Sequence, residues 1–457
     1  MSHGGAEAPR GLGTRLIQAA SLALVFTLLF AATRAVPEIH EGVGTIAAVG
    51  FLLLAGTLMS QLVEAIRVPH LTGYLLAGII AGPHVLRLID HHSVANLGRA
   101  NALALALIAL EGGAELKLDI VRRSLRSLLW ATLLQSSLVV FGVAGVFVLL
   151  RSMIPFLAPL PLLAVIGVAL VWGVLSVTRS PSAALGILSQ TRAKGPVATF
   201  TLTFVMTSDV VVVVLVAACL TVVQPMIDPA GSISMREFHA LGRELLGSVA
   251  LGTTLGLVLA AYMRLVNRQL IVVFLVLGFG LSEVMHFLHY DALLAFMVAG
   301  FVVQNLSSQG EKFIHAIRRT GSVIYVIFFA TAGADLDIPL LRALGPVAVA
   351  LAATRFLITY GTGRLASHLA DDPPAVRKWG WSGLISQAGL ALGLGASIAL
   401  RFPTFGDSFR ALVIATVALN EMIGPILFKL ALDRSGETSA ALAPARPSIA
   451  PPSIAPS

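Results

Sequence analysis

Apolar runs long enough to cross a membrane follow one another through this chain almost without a break. A helix rises about 1.5 Å per residue, so about 20 apolar residues span the hydrocarbon of a bilayer. Backbone polar groups find no water there, which leaves only helices or a closed barrel. Barrel strands would show short alternating patterns, whereas these runs are continuous, so the expected fold class is all-α integral membrane. Composition agrees: 57% of the 457 residues are hydrophobic and 12% charged, too few charges to cover a soluble domain.

Fourteen spans are predicted, at about 14–33, 44–66, 71–90, 95–114, 127–150, 161–190, 197–223, 240–263, 269–288, 292–305, 320–334, 344–367, 379–400 and 409–432. Segment 161–190 is too long for one straight span, and 292–305 and 320–334 are short. With the N-terminus inside, 20 of the 31 Lys and Arg fall in inside loops and 9 outside, while Arg179 and Arg355 remain within the membrane. The bias places both termini on the cytoplasmic side of a cell (inner) membrane. The net charge of +8 then reflects cytoplasmic loops and not nucleic-acid binding. Segment 14–33 could be a signal peptide, with Arg10 and Arg15 before it and Ala31 and Ala32 after. The even count fits the charge bias only if it is retained, so an extra N-terminal helix is expected behind a cytoplasmic tail, 1–13. The Ala-, Pro- and Ser-rich stretch 434–457 is expected to be a disordered cytoplasmic tail, and no soluble domain is expected. Cys219 is the single cysteine and forms no intramolecular disulfide.

Two short stretches recur. Gly73–Ile80 (GYLLAGII) matches Ala295–Val302 (AFMVAGFV) in character at an offset of 222, and Gly113–Leu116 (GAEL) matches Gly333–Leu336 (GADL) at an offset of 220. They fall on the third and tenth segments and on the fourth and eleventh. A shift of seven segments is odd, so the second copy lies inverted, as in many secondary transporters. The first inverted repeat is placed at 44–223 and the second at 269–433, with 240–263 as linker helix.

Charges deep in a bilayer are costly and are functional candidates by default. Asp209 is the sharpest, near the middle of segment seven with the apolar run Val210–Val214 behind it. A lone carboxylate there is stable when protonated or when paired with a cation, and competition between these states is what an antiporter needs; a structural carboxylate locked to an arginine is the plainer alternative. Thr178, Ser180, Pro181 and Ser182 interrupt segment six. Proline breaks the hydrogen-bond ladder and hydroxyls cover freed backbone groups, so a broken helix, or a simple kink, is expected beside Asp209. Segment thirteen, the partner of segment six in the repeat, carries Gln387, Gly389 and other glycines; these predict a second broken helix crossing the first, or glycine-mediated packing. Arg355 cannot lose its charge and needs a partner, with Asp209 or Glu421 as candidates. Arg179 either neutralises a helix terminus or faces the carboxylates. Glu111 and Glu115 read as local caps or pairs, and His286 and His289 as loop histidines rather than pH sensors.

These motifs resemble the Kef-type cation:proton antiporters. Val68–Pro83 (VPHLTGYLLAGIIAGP) is similar to their early helix, Gly113–Arg123 to their Gly-x-Glu-Leu helix end, Thr178–Leu188 to their broken-helix motif, and Leu419–Leu432 (LNEMIGPILFKLAL) to their last helix. The resemblance covers about 44–433 and implies that Asp209 binds the ion, that Arg355 is the family's basic residue, and that the protein is a homodimer in which segments five to seven and twelve to fourteen form a moving core. Many relatives carry an acidic or amide residue directly before the aspartate; Ser208 stands there in this chain. One titrating carboxylate implies one-for-one, electroneutral exchange of Na⁺ or K⁺ for H⁺. Kef proteins proper carry a nucleotide-binding domain, which is not seen here, so nucleotide gating and cofactors are not expected. No nucleophile–base pair, metal-ligand cluster or phosphate loop points to an enzyme. A channel-like efflux protein and a non-transporting membrane sensor on the same fold are the competing readings.

Overall fold

The computed structural model describes residues 43–438 apart from 65, 67, 90, 228–234, 337, 388 and most of 267–289, together with 20–24 and 27. The segment expected at 14–33 therefore lies largely outside the described residues, as do His286, His289 and 439–457. Every regular element among the described residues is helical. They run α1 Val43–Glu64, α2 His70–Ala81, α3 His91–Glu115, short α4 Leu118–Arg123, α5 Leu125–Leu149, α6 Leu162–Leu175, α7 Pro181–Thr191 and α8 Pro196–Ile227. The second half has α9 Met235–Leu265, α10 Ala292–Leu306, α11 Gly310–Ala334, α12 Ile338–Leu369, short α13 Pro374–Trp379, α14 Gly389–Arg401 and α15 Gly406–Ser435.

The count of fourteen spans is not reproduced among the described residues. Among the described residues, four helices are long and apolar enough to cross a membrane: α5, Leu246–Leu265 of α9, Leu344–Leu369 of α12, and α15. A fifth is α8 if its two arms, Pro196–Asp209 and Val214–Ile227, bent by 42°, count as one span. The physical reason lies in the breaks. Segment 161–190 folds as two half-helices, α6 and α7, around Ser176–Ser180. Segment 379–400 folds as a 3₁₀ turn, Gly380–Leu384, followed by α14. The short stretch 320–334 is the apolar end of the 25-residue α11.

The bend in α8 has a local cause. Thr207 donates its hydroxyl to the Thr203 carbonyl at 2.7 Å and Ser208 donates to Val205 at 2.9 Å. Hydroxyls that bond back to the preceding turn loosen and bend a helix, and Asp209 follows directly.

The helices pack in two groups. Helices α1, α2, α3, α9, α10 and α11 contact one another densely; so do α5, α6, α8, α12, α14 and α15. In the first group, glycines let backbones touch. A Cβ at Gly78 would strike the Ala330 carbonyl, and one at Gly300 the Leu110 carbonyl. One at Gly333 would strike Leu75 O, and one at Gly113 would strike Met297 O. In the second group Phe147 stacks on Trp172 (ring centroids 5.3 Å apart) and Phe409 meets Trp172 edge-on (5.4 Å) within its buried core.

The C-terminal boundary also differs from expectation. Order continues past 434: α15 runs to Ser435, Gly436 turns the chain at φ 77°, and Glu437 and Thr438 are buried. Glu437 accepts hydrogen bonds from Val197 N (2.8 Å) and Ala198 N (2.9 Å), and its carbonyl accepts from Lys194 N (2.9 Å). These are free N–H groups at the start of α8, where a carboxylate is favoured. Composition alone could not reveal this partner 240 residues away.

Candidate functional site

Asp209 lies at the bend of α8, 6% exposed. Neither carboxylate oxygen has a hydrogen-bond donor among the described residues. Glu421, on α15, is 7% exposed and in the same condition. The Ser180 hydroxyl approaches Glu421 as a hydrogen-bond partner, though outside strict hydrogen-bonding geometry. The same hydroxyl caps α7, accepting from Ala183 N at 3.1 Å, and pairs with Ser182 at 3.1 Å. Pro181 takes the first position of α7, where its missing N–H costs nothing.

The two breaks are tied to each other. Gln387 donates to the Thr178 hydroxyl (2.8 Å) and to Leu175 O (3.0 Å), and it accepts from Asn420 at 2.7 Å. Gly389 opens the half-helix beyond. Arg355, 2% exposed, reaches both breaks. It donates to Ser176 O (2.8 Å) and Thr178 O (2.9 Å) on one, and to Ile385 O (2.6 Å) and Leu384 O (3.1 Å) on the other. The sequence suggested Asp209 or Glu421 as the partner for its charge. The structure shows four carbonyl oxygens, left over where the helices break.

Arg179 is the second buried arginine, 2% exposed. It donates to Gln135 at 3.2 Å and lies over the Phe204 ring at 4.5 Å. It interacts with Asp209 through charge, with no hydrogen bond between them. Around the two breaks and the bend of α8, the buried charge is thus two guanidinium groups, Arg179 and Arg355, and two carboxylates, Asp209 and Glu421.

Three site residues were missed in the sequence: Gln135, Asn420 and Asp291. Gln135 and Asn420 are polar residues within apolar spans, a signal that was present. Asp291 caps α10 through Leu294 N at 2.8 Å, and its charge reaches Asp209; an aspartate heading an apolar run was its only sequence mark. Glu111, read as a local cap, is buried and accepts from Tyr325 OH at 3.2 Å.

A cavity of about 740 Å³ opens between the two helix groups. Glu111, Glu115, Lys117 and His315 line one wall; Arg192 and Lys194 flank the other, which runs down α8 to Thr203. Thr203 is six residues short of Asp209, about 9 Å along a helix.

This arrangement has counterparts. Residues 49–432 match the family model described as sodium/hydrogen exchanger, transmembrane. The chain belongs to that family. Among solved structures, this exchanger is similar to the sodium proton antiporter MjNhaP1 from Methanocaldococcus jannaschii at pH 8, with a TM-score of 0.62 and 16% identity, over 87% of this chain and 98% of that one. At that identity the likeness carries the fold. No curated protein matches the exchanger. Membership makes the chain a membrane transporter and not an enzyme.

Proposed function

We propose that this exchanger trades a monovalent cation, Na⁺ or K⁺, for protons by alternating access, with both ions competing for Asp209. The observation that carries this is a buried carboxylate with no hydrogen-bond donor among the described residues, at the bend of α8. An unpaired buried carboxylate is costly unless a proton or a cation neutralises it. Arg355, Gln387, Thr178 and Asn420 tie the two broken helices to each other. Ser208, Ser180 and the carbonyls of the breaks are the oxygens nearest in sequence for a cation's remaining ligands. One exchanging carboxylate corresponds to electroneutral, one-for-one exchange.

The finer assignments belong to the same proposal. The Kef type rests on the motifs Val68–Pro83 and Thr178–Leu188. The inverted repeat is supported by the glycine contacts: adding 220 to Leu110 gives Ala330, and adding 222 to Leu75 gives Met297, so each contact has its mirror in the other half. The elevator reading is supported by the two helix groups and the cavity between them, with α5–α8 and α12–α15 as the moving core. Lys117, Arg192 and Lys194 at that cavity are on the side the charge bias assigns to the cytoplasm of a cell membrane. The homodimer remains the expectation of the family resemblance.

The test is proton movement in proteoliposomes on adding Na⁺, K⁺ or Li⁺, for wild type and Asp209→Asn. Cation-dependent proton release is expected in the wild type and none in the mutant. Full coupled exchange by Asp209→Asn would sink the proposal, and cation flux without protons would favour a channel.

A further inference from the structure

Arg179 is placed oddly for a buried guanidinium. Its charge cannot be discharged, and a carboxylate is its best partner because two parallel hydrogen bonds can form. Asp209 is within electrostatic reach, and neither of its oxygens has a hydrogen-bond donor among the described residues. Yet among the described residues Arg179 makes one hydrogen bond, to a neutral amide at 3.2 Å, and its Nε and Nη1 have no partner. Something keeps the two apart.

Gln135 holds the hydrogen-bonded end of Arg179. It is 1% exposed and sits at the start of a π-turn, Gln135–Val139, within α5. A π-turn inserts one residue into the helix and rotates the turns beyond it, and such insertions recur at functional sites. The Gln135 amide is fixed at its nitrogen, which donates to the Thr362 hydroxyl at 2.8 Å and more distantly to Thr359 O at 3.5 Å on α12. Thr362 is itself fixed, donating to Ile358 O at 2.7 Å. With the nitrogen bound there, the amide oxygen is left for Arg179. Phe204, on α8 and five residues before Asp209, provides the face over which the guanidinium lies. A narrow crevice lined by Thr132, Gln135, Ser136, Arg179, Phe204 and Ser208 borders it.

We propose that Gln135 is a positioning residue of the exchange site: it parks Arg179 against Phe204, off Asp209, and so leaves the carboxylate open to the transported cation. This rests on the reading of Asp209 as the exchanging carboxylate. Arg179 is a cation the protein carries with it, and every hydrogen bond it would make to Asp209 competes with the ion to be carried.

The experiment measures Na⁺- and, in parallel, K⁺-driven proton release from proteoliposomes at one fixed pH. The proteins are wild type, Asp209→Asn, Gln135→Leu, Arg179→Gln, the double variant Gln135→Leu/Arg179→Gln, and Thr362→Val. Freed of its amide, Arg179 closes on Asp209, so Gln135→Leu is expected to raise the cation KM about tenfold, well beyond any fall in turnover. Arg179→Gln holds KM at or below the wild-type value, and the double variant matches it, because the internal competitor is gone. Thr362→Val keeps the glutamine but loosens its amide, and raises KM in the same direction by less. A packing role for Gln135 would lower turnover without this split, and Arg179→Gln would not relieve it. An unchanged KM in Gln135→Leu, or a rise that persists in the double variant, overturns the inference. Should Gln135→Leu fail to fold, an unchanged KM in Thr362→Val overturns it instead. If Asp209→Asn exchanges as wild type does, the underlying reading falls and takes this one with it. A silent Asp209→Asn beside an unshifted Gln135→Leu removes this inference alone.

Discussion

Arg355 solves two problems with one side chain. Each helix break leaves carbonyl oxygens without intrahelical partners, and the buried interior at the breaks offers them little water. A guanidinium offers five N–H groups in a fixed plane, enough to reach Ser176 and Thr178 on one break and Leu384 and Ile385 on the other. Lysine offers three donors at a point. Arg355→Lys is therefore expected to leave carbonyls on one break unsatisfied, at about 1–3 kcal/mol for each. The thermal midpoint in detergent should fall and exchange should weaken; an unchanged midpoint would contradict the bracing role. The sequence marked Arg355, Arg179, Asp209 and Glu421 because charge within an apolar run is conspicuous. It could not supply Arg355's partners, because every residue has a carbonyl and only the fold decides which are left unpaired. Gln135 was legible as a polar residue in a span, but not its purpose, which depends on α12 and the α6–α7 break meeting there.

At the scale of elements, the glycine contacts set how closely helices approach. A side chain at Gly113 would enter the Met297 carbonyl on α10, and one at Gly333 would enter the Leu75 carbonyl on α2. Backbone cannot yield as a flexible side chain does, so Gly113→Leu and Gly333→Leu should both reduce the yield of folded, monodisperse protein. Gly145, with nothing within 4 Å, is the control, and Gly145→Leu should behave as wild type in size-exclusion chromatography. Equal behaviour of all three would refute close packing as the purpose of these glycines. Gly78, Gly113, Gly300 and Gly333 were visible as recurring motifs, whereas their partners became visible only in three dimensions. Segment 161–190 shows the same division: its excess length and its Thr-Arg-Ser-Pro run pointed to a break, while the pairing of Gln387 with Thr178 required the second break to be folded beside it.

For the whole molecule, two internally dense helix groups with a cavity opening between them make motion of one group against the other the natural expectation. One hydrogen bond that does cross runs from His70 N, at the start of α2, to the Gln190 side chain on α7, at 3.0 Å. Cysteines at His70 and Gln190, in a Cys219→Ser background, joined by a short bifunctional thiol reagent, should arrest exchange. Cysteines at Arg126 and Asp371, a 3.2 Å ion pair inside the second group, should tolerate the same reagent. Exchange that survives both cross-links would mean that the groups do not move past each other. The all-helical class and the membrane setting followed from hydropathy alone. The grouping did not, because apolar periodicity says that a helix is buried but not against which neighbour.

Glu437 sets a practical boundary for anyone attaching a reporter to this protein. A fluorescent protein joined directly after Arg434 would displace the carboxylate that receives Val197 N and Ala198 N, and the first turn of the Asp209 helix would fray. Joined after Thr438, the same reporter leaves the cap in place. Two fusions four residues apart should therefore differ in brightness at the membrane and in heat resistance, for a reason that lies at the far end of another helix.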